Sequence, residues 1–364
     1  MQGKLLFNYS HPVRIVGGSI DQIAPFIGGD RVLVVTTPGF VRRGVVERLK
    51  QALVGKTIAV WDGVKPNPDI GDIDVAASTL QKNSFDSVVG LGGGSALDAA
   101  KVLATLLANS EPPKLTQYFR DKVIAKLDRR LPLVAIPTTS GTGAEVTPFA
   151  TVWDHANHQK YSLAGDFVYP DIAWLDPSLT LTLGEEDTLY PALDTISHAL
   201  ESLWNKNATQ ISRAHAFQAL TISSYSLPKI LHDPTCLESR KSLQVASLLA
   251  GLAISETRTA IAHAISYPLT TRFGVPHGLA CSFTLSLLLS EVGDQISVNP
   301  IEIMILDNTA RLLKSLDLGQ KIQIYGQKNE IIKETCTTSN NERLGNFFIE
   351  IDGNFIQKLL NNSI

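Results

Sequence analysis

The first half of the chain alternates between short apolar runs and segments with helical spacing. Residues 31–36 (RVLVVT) are almost continuously apolar, which is typical of a parallel strand buried on both faces. Similar runs predict strands at 12–20, 57–61, 87–91 and 131–137, and helical spacing predicts helices at 41–53, 73–83 and 96–107. Alternation of strand and helix at this pace predicts an open parallel α/β sheet with right-handed crossovers.

The second half has a different pattern. After Asp176-Pro177 few strand signals remain, and helical spacing dominates. Long helical segments are predicted at 185–231, 239–270 and 279–290, with a last short helix at 351–360. A boundary near residue 180 therefore predicts an α/β domain over 1–180 and an all-α domain over 181–364.

Composition narrows the class of protein. The 364 residues are 44% hydrophobic and 18% charged, with a net charge of −3, which argues against nucleic acid or an anionic membrane as the main partner. The cysteines Cys236, Cys281 and Cys336 form no CxxC pair, which argues against a disulfide framework or a cysteine metal site. The first ten residues lack a signal-peptide pattern, and no uncharged run reaches about 18 apolar residues. These features predict a cytoplasmic enzyme.

Two glycine-rich loops follow predicted strands. Residues 92–95 (GGGS) stand before a helix, where backbone N–H groups and the helix N-terminus favour a phosphate. The sequence matches neither GxGxxG nor a P-loop, and a tight turn is the alternative interpretation. Residues 138–143 (TTSGTG) form the second loop. Loops at the carboxyl ends of strands meet in one crevice of an open sheet, so the pair predicts a nucleotide site.

One aspartate and three histidines suggest a metal site. Asp194 and His198 are four residues apart in a predicted helix and share a face. His263 lies in a second apolar run, and His277 follows where glycine and proline break that run. Oxygen and imidazole donors suit Fe²⁺, Zn²⁺ or a similar divalent ion. The alternative is a polar helix face beside unrelated histidines.

Five motifs in collinear order resemble the iron-containing (group III) alcohol dehydrogenase family. They are GVKPNP at 63–68, GGGSALD at 92–98, PTTSGTGAE at 137–145, DTISH at 194–198, and His263 followed by PHG at 276–278. The stretch NERLGN at 341–346 is similar to the usual end of the family's chains. The resemblance implies a dinucleotide-binding α/β domain and a helical metal-binding domain, with the active site in the cleft between them. Dehydroquinate synthase-like enzymes share this architecture.

The resemblance also implies roles for individual residues. The metal ligands would be Asp194, His198, His263 and His277, for Fe²⁺ and sometimes Zn²⁺. The cofactor pyrophosphate would lie against Gly93, Gly94 and Ser95. The nicotinamide side would be lined by Asp98, Thr138, Thr139 and Thr142, and the nucleotide or ribose would contact Asn67 and Lys160. A homodimer is the habit of the family.

Thr37 is a departure from the family pattern. Many members carry an acidic residue there, which accepts hydrogen bonds from the adenosine ribose. Without that carboxylate a 2′-phosphate is not repelled, and Arg42 or Arg43 could pair with it. The sequence therefore predicts that NADPH is accepted as well as NADH. The alternative is that both arginines are solvated helix residues.

The region around the third ligand departs too. Many relatives have a histidine four residues after it as a proton relay, whereas this chain has Tyr267, whose hydroxyl could serve instead or could simply pack. The run from Arg258 to Thr270 resembles the phosphonoacetaldehyde reductase branch of the family. Arg258, five residues before His263, is predicted about a turn and a half from the metal, where it could bind phosphonate oxygens. A surface arginine or an ion pair is the alternative.

Together these features predict a metal-dependent NAD(P)H oxidoreductase that reduces a small anionic aldehyde to a primary alcohol. The specific expectation is reduction of phosphonoacetaldehyde to 2-hydroxyethylphosphonate. Alternatives are a general short-chain alcohol or diol dehydrogenase of the same family and a dehydroquinate synthase-like lyase with bound NAD.

Overall fold

The computed structural model describes residues 9–109, 113–123, 127–339 and 341–364. Most of the N-terminal stretch used above to exclude a signal peptide lies outside them. The chain folds into two compact units. The sheet unit comprises Pro12–Thr139 and Ala144–Thr180. The helical unit comprises Leu181–Ile364, the short loop Ser140–Gly143 and the described residues up to His11.

The sheet unit is built on a six-stranded sheet in which every paired strand is parallel. The strands of the chain are β1 Arg14–Gly17, β2 Arg31–Thr36, β3 Thr57–Trp61, β4 Ser87–Gly92, β5 Leu133–Pro137, β6 Phe149–Asp154, β7 Gln159–Ala164 and β8 Ile172–Leu175. The order across the sheet is β1-β8-β5-β4-β2-β3. From β2 the chain adds β3 on one side and then β4 on the other, so the topological switch point lies between β2 and β4. In open α/β sheets, ligands bind outside the carboxyl ends of the strands at such a switch point.

Helices cover both faces of this sheet. They are α1 Pro38–Arg42, α2 Val45–Ala52, α3 Ile70–Leu80, α4 Gly94–Leu107 and α5 Leu115–Arg120. Successive residues of β2 enter different cores: Leu33 belongs to the cluster with α3 and α4, and Val34 to the cluster with α2. This two-sided burial explains the continuous apolar run and confirms the predicted parallel α/β sheet.

One helix prediction in this unit was wrong in detail, and one hairpin was missed. The single helix expected over 41–53 is divided into α1 and α2 at Gly44, whose φ of 73° is left-handed. The antiparallel hairpin of β6 and β7 was not predicted. It is held to α4 by the buried ammonium of Lys101, which donates to the Thr147 carbonyl at 2.8 Å and the Phe149 carbonyl at 2.9 Å. Lys101 is distant in sequence from both of these carbonyls, so local patterning does not reveal the contact.

The helical unit contains α6 Glu185–Leu203, α7 Gln210–His232, α8 Leu237–Thr257, α9 Ile261–Phe273, α10 His277–Ala280, α11 Leu285–Ile296, α12 Pro300–Ser315, α13 Leu318–Ile322, α14 Lys328–Thr338, α15 Asn341–Leu344 and α16 Gly353–Ser363. The first two long segments predicted from spacing each prove to be two helices, with breaks after Leu203 and Thr257. Within the third, residues 281–284 separate α10 from α11. The last predicted helix is confirmed as α16.

Among the described helices, none alone is long and apolar enough to cross a membrane. Only α8 and α9 taken together reach that length and composition, and they are bent by 104° relative to each other.

Candidate functional site

The candidate metal centre begins on α6. Asp194 and His198 are both buried on this helix, and His198 Nε2 lies 3.3 Å from Asp194 Oδ1. The helical phase that predicted a shared face is therefore correct. The loop residues Ser140 and Gly141 pack against α6, where Thr195 Oγ1 donates to the Gly141 carbonyl at 3.3 Å.

Two other helices bring the remaining histidines to the same carboxylate. His263 lies in the first turns of α9, and its Nε2 is 3.3 Å from Asp194 Oδ1. His277 is the first residue of α10, and its Nε2 is 3.8 Å from the same oxygen. The imidazole rings of His198 and His263 are stacked at 4.8 Å between centroids. The three predicted histidines thus all lie within 3.8 Å of Asp194 Oδ1.

Gly278 allows α10 to approach α6 closely. A Cβ atom at this position would lie 1.8 Å from the Tyr190 carbonyl oxygen, so Gly278→Ala is expected to push α10 and His277 away from Asp194. We expect the affinity for a divalent ion to fall about 10-fold or more. Metal titration of the purified variant measures this. Gly293→Ala is the control, because it lies in α11 with no atom within 4 Å of the added Cβ, and it should bind metal normally. Unchanged affinity in Gly278→Ala would show that α10 does not carry a ligand.

The chemistry of these residues fits a divalent ion. Donors bound to one tetrahedral ion at about 2.0–2.3 Å lie about 3.3–3.8 Å from one another, and the spacings around Asp194 Oδ1 fall in this range. The Nε2 atom of His263 is buried and has no hydrogen-bond partner among the described residues. Such an orphaned nitrogen is expected where an ion binds.

Protonation also favours ion binding. Burial lowers the pKa of His198 to about 4, so its imidazole is neutral at physiological pH. Burial would raise the pKa of Asp194, but the nearby histidines outweigh it and hold that pKa below its ordinary value. Burial lowers the pKa of His263, yet Glu201 and Asp194 more than compensate and raise it. The same carboxylates that raise the pKa of His263 would also favour a cation beside its ring.

Glu201 was not identified from the sequence. It is fully buried on α6, and its Oε2 pairs with His263 Nδ1. Its Oε1 accepts hydrogen bonds from the backbone N–H groups of Ala260 and His263, both at 3.1 Å. A carboxylate bound to the far nitrogen of a ligating histidine fixes its tautomer and orientation. The signal was present: Glu201 is three residues after His198, within an apolar helix segment.

Cys281 was not identified from the sequence either, where the lack of a CxxC pair argued against a cysteine metal site. Its thiol is buried 3.3 Å from Asp194 Oδ1. Burial raises the pKa of this thiol well above its ordinary value. Among the described residues, a group of metal-binding side chains that all lie within 4.8 Å of one another consists of Asp194, His263, His277 and Cys281. His198 is not in that group, although it contacts Asp194.

Arg258 does not stand on the helix of His263, so the predicted spacing of a turn and a half is wrong. It follows α8 as its C-cap residue, with a left-handed φ of 65°, and α9 begins three residues later. The turn is fixed by Asn205 Nδ2, which donates to the Arg258 carbonyl at 3.2 Å, and by Asn346 Nδ2, which donates to the Thr259 carbonyl at 2.8 Å. The residue is exposed.

Tyr267 and Arg343 belong to the same helical unit as the candidate metal ligands. Tyr267 is half-buried on α9, one turn after His263. Arg343 of α15 was not singled out from the sequence. Burial lowers the pKa of its guanidinium, and the charges that act on it include those of Glu201, Arg258 and Asp194. The helical unit thus adds a second guanidinium to the electrostatic surroundings of the candidate ligands.

The sheet unit gathers most predicted cofactor residues at one edge of the sheet. Thr36 pairs with Leu91 and Gly92 with Pro137, so β2, β4 and β5 end level with one another. The residues that follow these strands are Thr37, Gly93, Gly94, Ser95, Thr138 and Thr139. Gly93 is the N-cap of the 14-residue α4, and Thr138 Oγ1 is buried without a hydrogen-bond partner among the described residues. A helix N-terminus and an orphaned hydroxyl fit a dinucleotide.

Three further predicted cofactor residues lie at α4 or on the hairpin of β6 and β7. They are Asn67, Asp98 and Lys160. The backbone N–H of Asn67 donates to Ser95 Oγ at 3.2 Å, and that of Thr151 donates to Asp98 Oδ2 at 2.9 Å. Burial raises the pKa of Asp98 to about 6, although Lys101 and Lys160 oppose the shift. The ammonium of Lys160 lies 5.1 Å from the centre of the Trp153 ring.

Thr142 separates from the other cofactor candidates. It belongs to the helical unit with residues 140–143, whereas Thr138 and Thr139 belong to the sheet unit. Of the two arginines near Thr37, Arg43 folds back over the Phe40 ring, with its guanidinium carbon 4.3 Å from the ring centre.

Comparison with known proteins decides the family. Residues 12–177 match the iron-containing alcohol dehydrogenases, and residues 188–362 match the C-terminal part of the same family. The chain belongs to the iron-containing alcohol dehydrogenase family. The resemblance inferred from the motifs is thereby confirmed, as is the combination of a parallel-sheet α/β domain with a helical C-terminal domain. Dependence on iron-type metal chemistry and on a nicotinamide nucleotide follows from this membership.

Individual relatives of this iron-containing alcohol dehydrogenase include reductases of charged aldehydes. A phosphonoacetaldehyde reductase of Streptomyces viridochromogenes is 37% identical over 271 residues, which cover 73% of this chain and 68% of the relative. A sulfoacetaldehyde reductase of Bilophila wadsworthia is 29% identical over 327 residues, 83% of each chain. The crystal structure of a sulfoacetaldehyde reductase from Bifidobacterium kashiwanohense in complex with NAD+ has a TM-score of 0.89 at 29% identity and covers 99% of both chains.

Proposed function

We propose that this protein reduces phosphonoacetaldehyde to 2-hydroxyethylphosphonate. The observation that carries the proposal is the position of Arg258. It is exposed on a turn whose end is fixed by Glu201, the same carboxylate that holds His263. A guanidinium can bind a phosphonate through two parallel hydrogen bonds. The similarity to a phosphonoacetaldehyde reductase supports this substrate.

The helical unit would hold the metal ion and the sheet unit the nucleotide. Asp194, His198, His263 and His277 would bind the ion, and Gly93, Gly94 and Ser95 would bind the pyrophosphate. When bound, the divalent ion supplies Lewis acidity toward the carbonyl oxygen and the reduced nicotinamide supplies the hydride.

The remaining steps fall to the side chains of this chain. Arg258 would orient the aldehyde by its anionic end, and the charge of Arg343 would add to the positive potential that attracts it. Tyr267, one turn from His263 on α9, would hold a proton for the alkoxide that forms. Glu201 would keep the His263 imidazole in the tautomer that presents Nε2.

The sequence at the end of β2 favours NADPH. Thr37 places no negative charge at the position expected for the adenosine ribose, and Arg43 lies six residues further along. A 2′-phosphate could therefore be accepted and paired with a guanidinium.

Arg258→Ala tests the proposal directly. We expect kcat/KM for phosphonoacetaldehyde to fall about 10- to 100-fold, because a charge-assisted hydrogen-bond pair is worth roughly 1.5–3 kcal/mol. Turnover of propanal, a neutral aldehyde of similar size, should stay unchanged. Absorbance of NADPH, and separately of NADH, measures both rates and the cofactor preference in one assay.

Arg272→Ala is the matched control. Arg272 is an exposed arginine on α9 that pairs with Glu334 at 2.9 Å, and its loss should leave both substrates unaffected. Equal loss with both aldehydes in Arg258→Ala would indicate a structural role. If the wild type preferred propanal, a general alcohol dehydrogenase would be the better assignment.

Sulfoacetaldehyde is a second candidate substrate. The likeness to the Bifidobacterium sulfoacetaldehyde reductase extends over almost the whole chain. A sulfonate carries one negative charge, whereas a phosphonate carries up to two, so the two substrates differ at the end that Arg258 would bind. The ratio of kcat/KM for phosphonoacetaldehyde to kcat/KM for sulfoacetaldehyde distinguishes the two assignments.

A further inference from the structure

Cys281 is buried inside the candidate metal centre although the family motifs assign it no role there. Its Sγ lies 3.3 Å from Asp194 Oδ1. Its backbone is fixed against α6, because Ser197 Oγ donates to the Cys281 carbonyl at 2.9 Å. Both contacts come from α6, which therefore holds the side chain of Cys281 at the carboxylate.

The sulfur has the spacing of a metal donor. Asp194, His263, His277 and Cys281 each offer one atom, and these atoms all lie within 4.8 Å of one another. A sulfur and an oxygen that share one tetrahedral ion are separated by about 3.5 Å, close to the observed distance.

A second observation points to an ion at this place. His263 is 3% exposed, and its Nε2 faces Asp194 Oδ1 at 3.3 Å without forming a hydrogen bond to any described residue. His277, by contrast, has a side chain that is 30% exposed and lies farther from the carboxylate, at 3.8 Å. The most buried donors of the group are thus Asp194, His263 and Cys281.

We propose that Cys281 is a further ligand of this centre, recruited when the ion is Zn²⁺ or Co²⁺. On binding, the S–H bond breaks, the proton passes to solvent and the sulfur binds the ion as a thiolate. Thiolate is a soft donor, so it strengthens binding of Zn²⁺ and Co²⁺, whereas carboxylate and imidazole donors also suit Fe²⁺. This inference rests on the metal centre proposed above but not on its substrate.

Cobalt reports a sulfur ligand directly. Metal-free full-length protein titrated with Co²⁺ should develop visible d–d bands together with a near-ultraviolet thiolate-to-cobalt charge-transfer band. Cys281→Ser should keep the visible bands, lose the near-ultraviolet band and bind Co²⁺ about 10-fold or more weakly. Cys236→Ser and Cys336→Ser are the controls and should retain the band, because neither cysteine belongs to the group around Asp194.

Other results would overturn the inference. Visible bands without a charge-transfer band in the wild type would show that the thiol only donates a hydrogen bond to Asp194. A charge-transfer band that persists in Cys281→Ser would assign it to another cysteine. X-ray absorption of the zinc-loaded wild type needs no variant, and absence of sulfur from the zinc shell would also refute the proposal.

The failures of the two proposals can be told apart. Sulfur ligation without reduction of phosphonoacetaldehyde would refute the proposed substrate and leave the Cys281 ligand standing. A protein that binds no Co²⁺ at all would refute the metal centre and, with it, the Cys281 ligand.

Discussion

Asp194→Ala is expected to abolish metal retention and to lower kcat/KM for aldehyde reduction by about 1,000-fold or more. The Oδ1 atom of Asp194 lies 3.3–3.8 Å from the donor atoms of His198, His263, His277 and Cys281, so it is the common neighbour of the whole set. Among the described residues, it is also the only carboxylate in the group of Asp194, His263, His277 and Cys281. Losing the Lewis acidity of the ion removes roughly 4 kcal/mol of transition-state stabilisation.

Metal content after dialysis and steady-state kinetics together check this prediction. Asp187→Ala is the matched control, because Asp187 is exposed in the first turn of the same helix and should behave as wild type. An Asp194→Ala enzyme that retains full metal content would falsify the ligand assignment.

Glu201→Ala is expected to have the largest effect on stability. Its carboxylate bonds to two backbone N–H groups and to His263 Nδ1, all of them buried. Removing the carboxylate leaves three donors without partners, which costs about 3–5 kcal/mol of the free energy of unfolding. The His263 ring also loses the contact that orients it, and we expect metal affinity to fall about 10- to 100-fold.

Glu201→Gln separates these two effects. The amide oxygen can still accept from Ala260 and His263, so most of the stability should return. The amide NH₂ group then faces His263 Nδ1, where it opposes the tautomer that presents Nε2, and metal affinity should remain low. Urea unfolding of the metal-free protein and metal titration measure the two quantities. Glu185→Gln, exposed in the first turn of α6, should change neither. Wild-type metal affinity in Glu201→Gln would contradict the role assigned to the carboxylate.

Periodic features were predictable from the sequence because their physical cause is local. The run at 31–36 predicted β2 with its observed bounds, since a strand buried on both faces has no polar side. The spacing of Asp194 and His198 predicted their common face, since α6 continues without interruption from Glu185 to Leu203.

Other features depend on contacts between distant segments. The break between α8 and α9 arises where Asn205, Asn346 and Glu201 bind the backbone of residues 258–260. Apolar residues continue on both sides, so spacing alone predicted one helix. Cys281 and Glu201 were missed for a similar reason, because their partners lie 87 and 62 residues away.

The turn at Arg258 has an evolutionary consequence. The hydrogen bonds that fix it use the carbonyls of Arg258 and Thr259 and the N–H of Ala260, so none of them depends on the side chain at 258. Under the role proposed for Arg258, exchange of that side chain would alter the charge offered to a substrate while the backbone that supports His263 keeps its shape. New substrate preferences would then arise by single substitutions, without compensating changes in the candidate metal ligands.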